Sequence, residues 1–277
     1  YVEPVRICVV GKGGREHALI RALRESESQP EVFCFPGSEA IHEIEGAGKV
    51  EAHDLESLIT WMTANSIDLC VAGEESYLVT EAGLANRCKD VGIPCWGPPF
   101  AAAQMEASKE FAKEFMQRHN IPTGDAAGCA DIDEAQAAIA GKYPTVLKFD
   151  GLAAGKGVAV CPDKETADEF LNEVMVERRF GPGRLLVEEC LVGPEISIFA
   201  AVSGSDYLIL TPARDYKRIG EGDEGPNTGG MGAVASRRLA DPELMKRIDD
   251  EIVAPTVAGL EKDELNYVGF LYFGLML

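Results

Sequence analysis

The sequence predicts an α/β protein that begins with a doubly wound parallel sheet and continues into a second, α+β region. Buried-type strands alternate with amphipathic helices over the first hundred residues, and this alternation is typical of a doubly wound sheet. Short strands with only two helices follow, and a strand pair with Gly204 at its turn then starts a further sheet. A chain of 277 residues is long enough for two such domains.

The first domain is predicted at residues 1–100. It opens with the apolar strand V-R-I-C-V-V, a glycine-rich turn and a helix that carries Ala18, Leu19 and Leu23 on one face. Three more strands, E-V-F-C-F, I-D-L-C-V and I-P-C-W, are separated by helical segments, one of which has Asp54 as its predicted N-cap. Because parallel strands need such helical crossovers, the segment is predicted to form one open sheet.

Three regions are predicted beyond the first domain. A connector helix spans 101–122, with Asn120 and Pro122 setting its end. Residues 123–192 form a compact α+β unit around the glycine-rich stretch V-L-K-F-D-G-L-A-A-G-K-G-V-A-V. Residues 193–277 begin a larger mixed sheet, and the chain is therefore predicted to hold two sheets besides the first.

The charge of the chain limits its partners. The chain has 46 acidic and 26 basic residues, which gives a formal net charge of −20. Such a surface repels nucleic acid and anionic lipid, so we expect neither as a partner. An anionic ligand must then be held by local basic clusters, of which the sequence has three: Lys12 with Arg15, Lys148 with Lys156, and Arg214 with Lys217 and Arg218.

The cysteines indicate a reducing compartment. All eight are scattered, mostly among Val, Leu and Ile, without a C-x-x-C pair or a histidine pattern. We expect reduced core residues rather than a zinc site or a disulfide framework. No apolar run is long enough to span a bilayer and no signal peptide is predicted, so we expect a cytoplasmic protein.

The first glycine-rich turn, G-K-G-G-R-E at 11–16, resembles the dinucleotide-binding pattern G-x-G-x-x-G. The sixth position holds Glu16 where a small residue is needed, and its side chain is expected to crowd helix against strand. Backbone N–H groups at the start of a helix, with Arg15 beside them, still suit a phosphate. A tight turn with solvated charges is the alternative.

The second glycine-rich turn fails as a P-loop. Only three residues separate Gly151 from Gly155, and Gly157 follows Lys156 where a Ser or Thr is needed. A glycine flap between antiparallel strands suits a lid that closes on a nucleotide, with Lys148 on the strand and Lys156 on the flap. A purely structural hairpin is the alternative.

Two later stretches complete the candidate set. A hinge from Glu188 to Leu191, at the end of a buried strand, would present backbone groups to an adenine edge, and Glu195 would accept from ribose hydroxyls. The alternative is two surface glutamates at a strand end. In the run N-T-G-G-M-G at 227–232, backbone donors can approach a phosphate or carboxylate closely, whereas the alternative is a solvated loop.

Seven motifs occur in one order along the chain: G-G-R-E-H, A-S-K at 107–109, K-F-D-G-L-A-A-G-K-G-V, E-E-C-L-V-G-P-E-I-S, D-Y-K-R, G-P-N-T-G-G-M-G and G-F-L-Y-F-G-L-M. Together they resemble the phosphoribosylamine–glycine ligase family of ATP-grasp enzymes, across essentially the whole chain. The resemblance implies a substrate domain, then an ATP-grasp fold with its lid subdomain at 123–192 and an incomplete central sheet at 193–277. It also implies ligation of glycine to 5-phosphoribosylamine through glycyl phosphate, with ATP giving ADP and phosphate, in purine synthesis.

The resemblance carries residue roles with it. In the nucleotide site, the resemblance implies that Lys109 and Lys148 bind the phosphates and that the flap closes over them with Gly155, Lys156 and Gly157. It implies that adenosine is bound by Glu188, Glu189, Leu191 and Glu195. Substrate binding falls to Gly13, Gly14, Arg15 and Glu16 near the phosphoribosylamine and to Gly230 and Met231. The catalytic transfer region comprises Asp215, Lys217, Arg218, Asn227 and Thr228.

The chain departs from the family pattern in three places. D-Y-K-R at 215–218 replaces the usual D-H-K-R, which removes any histidine role at Tyr216, and G-E-E-S at 73–76 replaces a Gly-Pro-Glu, which leaves the role of Glu75 open. The family's Glu and Asn ligands for magnesium (or manganese) fall beyond Leu277. We therefore expect no metal ligand in this chain, a longer natural protein with a missing C-terminal part, and inefficient turnover by the chain alone.

Two other functions stay open on the sequence. Glycine-flap features alone fit other ATP-grasp carboxylate–amine ligases, such as a carboxylase subunit, and a non-catalytic nucleotide-binding module fits the absent metal ligands. The expected partners are small molecules only, glycine and 5-phosphoribosylamine, and the expected assembly is a monomer or weak homodimer.

Overall fold

A computed structural model of the chain describes residues 4–80, 82–151, 153, 156–222 and 224–277, with the backbone alone at 226, 227 and 229. They form two compact units. The first comprises Tyr1–Ala103, Val202–Asp206 and Leu260–Phe270, and the second comprises Gln104–Ala201, Tyr207–Gly259 and Leu271–Leu277. Within the described ranges, every helix is too short or too polar to cross a membrane.

The first unit contains a five-stranded parallel sheet in the order β3-β2-β1-β4-β5. Its strands are β1 (Arg6–Gly11), β2 (Glu31–Pro36), β3 (Ala47–Lys49), β4 (Leu69–Ala72) and β5 (Cys95–Trp96). The chain winds from β1 outward to β3 and then returns to the other side of β1. This doubly wound sheet confirms the fold class predicted for the first domain, and it places a topological switch point between β1 and β4.

Helices cover both faces of this sheet. They are α1 (Gly14–Arg24), α2 (Glu39–His42), α3 (Leu55–Ala64) and α4 (Leu84–Asp90). Alternate residues of β1 enter two separate cores: Val9 packs with Ile20 of α1, and Val10 packs with Leu58 of α3. Asp54 caps α3 as predicted, since its Oδ1 accepts from the backbone N–H of Ser57 at 2.8 Å.

The predicted connector helix over 101–122 is two helices in the structure, α5 (Phe100–Ala107) and α6 (Lys109–Arg118). Ser108 interrupts them with extended backbone, and its Oγ accepts from the N–H of Phe111 at 3.0 Å. A serine in this position satisfies an otherwise unpaired N–H of a first helical turn. The interruption therefore starts a second helix that has its own N-terminus.

The second unit contains a four-stranded antiparallel sheet in the order β6-β9-β7-β8. Its strands are β6 (Ala126–Cys129), β7 (Thr145–Phe149), β8 (Val158–Cys161) and β9 (Leu185–Glu189). One face, with Leu147 and Leu185, packs against helices α7 (Ile132–Ile139) and α8 (Lys164–Leu171). The opposite face carries the polar side chains described below.

A larger sheet, most of whose residues belong to the second unit, has the order β11-β10-β12-β13 with β14 also paired to β10. Its strands are β10 (Glu195–Ser203), β11 (Asp206–Ile209), β12 (Ala213–Gly220), β13 (Glu224–Ala235) and β14 (Val268–Met276), and helices α9 (Pro242–Ile248) and α10 (Ala254–Lys262) precede β14. Gly204 adopts a positive φ of 61° between β10 and β11, as the sequence predicted for that turn.

Candidate functional site

A lysine and a glutamate from neighbouring strands lie on one face of the four-stranded sheet. Lys148 on β7 pairs with Leu186 on β9, and Val146 pairs with Glu188. This register makes Lys148 and Glu188 diagonal neighbours, and Lys148 Nζ lies 2.8 Å from Glu188 Oε2. The sheet register therefore brings the glycine flap's strand directly beside the 188–195 segment.

Lys113 of α6 reaches the same carboxylate. Its Nζ lies 3.4 Å from Glu188 Oε2 and donates to Thr123 Oγ1 at 2.7 Å and to the carbonyl of Gly124 at 3.0 Å. The side chains of Lys113 and Glu188 are only 12% and 9% exposed. Two ammonium groups thus share one buried carboxylate, which leaves a net positive charge suited to an anion.

Asp150 ties the start of α6 to the start of the flap. One of its carboxylate oxygens accepts from Ser108 Oγ at 3.0 Å, and the other accepts from the N–H groups of Lys109 at 2.5 Å and Glu110 at 3.2 Å. Lys109 Nζ in turn donates to the carbonyl of Gly151 at 2.8 Å. A third ammonium group is therefore fixed at the base of the flap, beside a helix N-terminus.

Burial shifts the pKa values of two of these lysines. Desolvation lowers the pKa of Lys109 and of Lys113, although the nearby carboxylates Asp150 and Glu188 act in the opposite direction. Their positive charges are thus incompletely compensated by the protein. A bound phosphate would supply the missing negative charge and favour the ammonium forms.

The flap itself is described in part. Gly155 lies outside the described residues, while Lys156 is exposed and its N–H donates to the carbonyl of Ala153 at 2.9 Å. Gly157 accepts at its carbonyl from the N–H of Phe149 at 2.7 Å, and a Cβ there would lie 2.7 Å from the Cβ of Ala153. Glycine is therefore required at 157 for the flap to close on itself this tightly.

The predicted adenine hinge, residues 188–191, lies partly inside β9 and partly beyond its end. Glu188 lies within the sheet and its carbonyl accepts from Thr145 Oγ1 at 3.1 Å, while the N–H of Glu189 donates to the carbonyl of Asp125 at 2.8 Å. Leu191 lies beyond the strand with its side chain 46% exposed. The carbonyl of Glu188 is thus engaged within the sheet, and the backbone beyond Glu189 is the part outside the strand.

The predicted transfer region lies on the larger sheet. Lys217 Nζ donates to Glu195 Oε1 at 2.9 Å and lies 4.0 Å from Asp215 Oδ2. Burial works against the ammonium of Lys217, but the hydrogen bond to Glu195 and the charge of that carboxylate raise its pKa. Glu195 is thus paired with a lysine of β12, a contact that the expected ribose role did not include.

The glycine run of β13 lies beside β12. Thr228 Oγ1 donates to the carbonyl of Lys217 at 2.8 Å and accepts from the N–H of Gly230 at 3.1 Å. Asn227 pairs with Arg218 through the backbone, and its side chain lies outside the described atoms. Met231 is 58% exposed. The register shifts of this hairpin are typical of strands that re-aim side chains near a site.

The first unit carries a separate candidate site at the switch point. The carboxylate of Glu16 is buried, and its Oε2 accepts from the N–H of Gly13 at 2.6 Å. A Cβ at Gly11 would lie 2.6 Å from the Glu16 side chain, and one at Gly73 would collide with it. The expected crowding of helix against strand is therefore wrong, because glycines at the ends of β1 and β4 leave room for Glu16.

Arg15 lies between two carboxylates. Its Nε donates to Glu16 Oε1 at 3.0 Å, and a terminal nitrogen donates to Glu75 Oε2 at 3.0 Å. Partial burial acts against it, but these hydrogen bonds raise the pKa of Arg15. Gly14 follows Gly13 as the first residue of α1. The structure thus gives Glu75, whose role the sequence left open, a contact with the turn.

Sequence reasoning missed Lys113 and Asp150. Lys113 follows Lys109 by four residues and so shares its face of α6, a spacing that could have revealed it. Asp150 stands between the apolar strand β7 and Gly151, where a polar strand end often serves a site. Lys113 lies outside the seven motifs, and Asp150 lies inside K-F-D-G-L-A-A-G-K-G-V, where the glycines and lysines received the predicted roles.

These features define the class of protein. A doubly wound unit, an antiparallel sheet with facing lysines beside a glycine flap, and a second, larger sheet form an ATP-grasp protein with an N-terminal domain. Two family models match nearly the whole chain: the N domain of phosphoribosylglycinamide synthetase at residues 5–106 and its ATP-grasp (A) domain at residues 107–277. The chain therefore belongs to the phosphoribosylglycinamide synthetase family.

Individual relatives agree with this assignment. The phosphoribosylamine–glycine ligase of Chlorobaculum tepidum is 41% identical over 280 residues, which cover 99% of this chain and 65% of that protein. Its counterpart in Allochromatium vinosum is 41% identical over 278 residues, with coverages of 99% and 64%. The crystal structure of phosphoribosylamine–glycine ligase from Thermotoga maritima matches with a TM-score of 0.83 at 32% identity, covering 99% of this chain and 66% of that one. The family and fold predicted from the motifs are confirmed, and the chain spans about two thirds of these relatives' length.

Proposed function

We propose that the protein to which this chain belongs ligates glycine to 5-phosphoribosylamine at the expense of ATP, giving glycinamide ribonucleotide, ADP and phosphate. The observation that carries the proposal is the convergence of Lys148 and Lys113 on Glu188, next to the flap. Family membership supports the choice of substrates, since the named relatives are phosphoribosylamine–glycine ligases.

The nucleotide phosphates would bind at the lysines. Lys148 would exchange its bond to Glu188 for one to a phosphate oxygen, while Lys113 keeps the carboxylate compensated. Lys109 would add a charge at the base of the flap, where Lys156, Gly155 and Gly157 cover the phosphates. Phosphoryl transfer depends on alignment and charge neutralisation more than on covalent help, so this set of cations matches the chemistry required.

Adenosine would bind beside the end of β9. The backbone beyond Glu189, including Leu191, would contact the adenine edge, since the backbone of Glu188 lies within the sheet. Glu195 would bind the ribose only by sharing its carboxylate with Lys217. Glu188 would therefore orient Lys148 rather than touch adenosine.

The transfer step would take place at the larger sheet. A carboxylate oxygen of glycine attacks the terminal phosphorus of ATP, and ADP leaves. The amine of phosphoribosylamine then attacks the carbonyl carbon of glycyl phosphate, phosphate leaves, and the amine loses a proton. Lys217, with its raised pKa, would stay protonated and stabilise developing negative charge. Asp215, Arg218, Asn227 and Thr228 would orient the reacting groups, with Gly230 and Met231 contacting substrate.

The sugar phosphate would bind at the turn of the first unit. Gly13 and Gly14 place backbone N–H groups at the start of α1, and Arg15 adds a guanidinium held by two carboxylates. The buried Glu16 would fix the turn's shape instead of contacting the substrate, because both of its oxygens already accept hydrogen bonds. This assigns Glu16 a positioning role.

ATP-grasp ligases generally bind ATP with Mg²⁺ or Mn²⁺, which offset charge on the phosphates. In the part of the chain that the structure describes, only three cysteines have metal-ligand spacing. Hard cations prefer oxygen ligands, so these residues do not fit Mg²⁺. The steps above therefore use side chains alone.

The setting proposed for this reaction is the cytoplasm, with glycine and 5-phosphoribosylamine as the only partners and a monomer or weak homodimer as the assembly. The acidic net charge of −20 supports the exclusion of nucleic acid and anionic membranes. All eight cysteines are free, as a reducing compartment requires.

ADP release by the complete gene product tests the function. ATP and Mg²⁺ are supplied with glycine, with phosphoribosylamine, with both, or with neither. Rapid ADP formation that needs both substrates together supports the proposal. ADP formation with bicarbonate or another acid instead indicates a different ATP-grasp ligase, and nucleotide binding without any ADP formation indicates a non-catalytic module. Either of these results overturns the proposal.

A further inference from the structure

Three cysteines that are distant in the sequence meet inside the first unit. Cys70 lies on β4, Cys88 on α4 and Cys95 on β5, and their Sγ atoms all lie within 4.8 Å of one another. Cys70 and Cys95 pair across the parallel strands, and α4 brings Cys88 over them. The fold therefore assembles a group of three thiols that the sequence spacing did not suggest.

The other five cysteines are outside this group. Cys34 is buried on the opposite face of the same sheet, where its Sγ lies 3.5 Å from the carbonyl of Gly11, and burial raises its pKa to about 12. Such a buried thiol, outside the group of three, behaves as a small apolar side chain. Three thiols within mutual reach differ from it, because together they can bind one ion.

The spacing fits a metal ion. With metal–sulfur bonds of about 2.3 Å, three sulfurs around a central ion in one plane lie about 4.0 Å apart. Starting from 4.8 Å, each sulfur would need to move inward by roughly 0.5 Å at most. Small changes in side-chain torsion supply such a movement without displacing the strands.

The number and kind of ligands select the ion. Thiolates prefer soft ions such as Cu⁺ over hard ions such as Mg²⁺. No fourth His, Cys, Asp or Glu from the described ranges joins the three cysteines, whereas structural Zn²⁺ sites have four protein ligands. A three-coordinate soft ion matches this set.

Cys95 is the least buried member of the group. Cys70 and Cys88 are buried, but Cys95 is only half-buried. Gly97 lies next to its sulfur, at a position where a Cβ would be 3.4 Å from Cys95 Sγ. An ion could therefore reach Cys95 first and then engage the two buried thiols.

We propose that Cys70, Cys88 and Cys95 form a binding site for a soft, thiophilic metal ion of the Cu⁺ type within the first unit. Each thiol that coordinates gives its proton to solvent, so binding tightens as the pH rises. The ion would link β4, β5 and α4 and stabilise the first unit. The site is independent of the proposed ligase chemistry, which uses oxygen-bound substrates elsewhere.

The test is titration of the reduced chain with Cu⁺ under anaerobic conditions, against a chromophoric Cu⁺ chelator. We expect one ion per chain to resist the chelator. Cys88→Ser should weaken this binding by roughly 100-fold or more, because loss of a direct ligand should cost at least as much as loss of an outer-shell partner. The matched control Cys34→Ser, buried in the same unit, should bind Cu⁺ as the wild type does.

A second measurement does not depend on whether the variants fold. Cys95 and Cys190 are the two half-buried cysteines of the chain. Alkylation followed by peptide mapping should show that Cu⁺ protects Cys95 and leaves Cys190 reactive. The proposal is overturned if no ion resists the chelator, if the two variants bind equally, or if Cys190 is protected instead of Cys95. Tight uptake of Zn²⁺ but not Cu⁺ also overturns the three-coordinate assignment.

Discussion

The two glycine-rich turns of the chain handle charge in opposite ways. In the first turn, the buried Glu16 accepts hydrogen bonds from Gly13 and Arg15, so the charged side chain builds the turn from inside. In the second, Lys148 and Lys109 project from a strand and a helix and are held by carboxylates or a carbonyl. The first site presents a fixed backbone, and the second presents exchangeable cations.

The difference follows from what stands behind each turn. The first joins a strand to helix α1, whose N-terminus already offers N–H groups and a favourable dipole. The second joins two antiparallel strands, β7 and β8, and has no helix dipole of its own. Side-chain cations and the nearby start of α6 must supply the positive charge there. A motif of glycines and charged residues therefore does not by itself indicate how a phosphate would be bound. The secondary-structure element that follows the turn, a helix or a strand, must also be known.

The largest effect is expected from Lys148→Met in the complete gene product. Removal of the ammonium group leaves the phosphates without the cation that β7 provides beside Glu188. We expect ADP release to fall by roughly 100-fold or more, the range seen when a positioned charge-stabilising donor is removed. Steady-state kinetics measure the loss, and circular dichroism checks that the fold is retained.

Lys164→Met is the matched control for that variant. Lys164 is an exposed lysine of α8 that pairs with Asp168 one helical turn away, and no step of the proposed reaction uses it. Its removal should leave turnover unchanged. Wild-type rates in Lys148→Met, or equal losses in both variants, would show that the second turn does not depend on exchangeable cations.

A smaller effect, on stability, is expected from Glu16→Ala. The substitution leaves the N–H of Gly13 without its acceptor and opens a cavity between Gly11 and Gly73. We expect the free energy of unfolding of the first unit to fall by about 1–3 kcal/mol, because the turn loses a charge-assisted hydrogen bond and the packing of a buried side chain. Urea unfolding followed by tryptophan fluorescence measures it, since both tryptophans, Trp61 and Trp96, belong to this unit.

Glu25→Ala provides the comparison for Glu16→Ala. Glu25 follows the same helix, is exposed, and pairs with Arg21 at the surface, so its loss should change stability by under about 1 kcal/mol. If Glu16→Ala is no more destabilising than Glu25→Ala, the turn does not depend on a buried carboxylate, and the contrast between the two turns is lost.

The sequence could predict what depends on local pattern. Strand and helix alternation predicted the doubly wound sheet, and the strand–glycine–strand pattern predicted the antiparallel pair that carries Lys148. Local patterns do not predict contacts between segments that are far apart in the sequence. Lys113 meets Glu188 across 75 positions, and the room for Glu16 depends on Gly73 at the end of another strand. Residues that act by filling space or sharing a partner show no motif of their own.

The smallest effect concerns the pH dependence of stability at Lys113. Burial lowers the pKa of this lysine, so between its folded pKa and the ordinary lysine value of 10.5 the unfolded chain binds more protons than the folded one. Stability conferred by this group therefore rises as pH rises through that window. The difference in unfolding free energy between wild type and Lys113→Met should shift in favour of the wild type.

Lys164 gives the opposite sign, because its hydrogen bond with Asp168 raises its pKa, and the benefit of that pair is lost as pH rises through the folded value. Urea unfolding of both variants across this pH range measures the two slopes, and equal slopes would show that the cations of the second turn are no more desolvated than surface lysines.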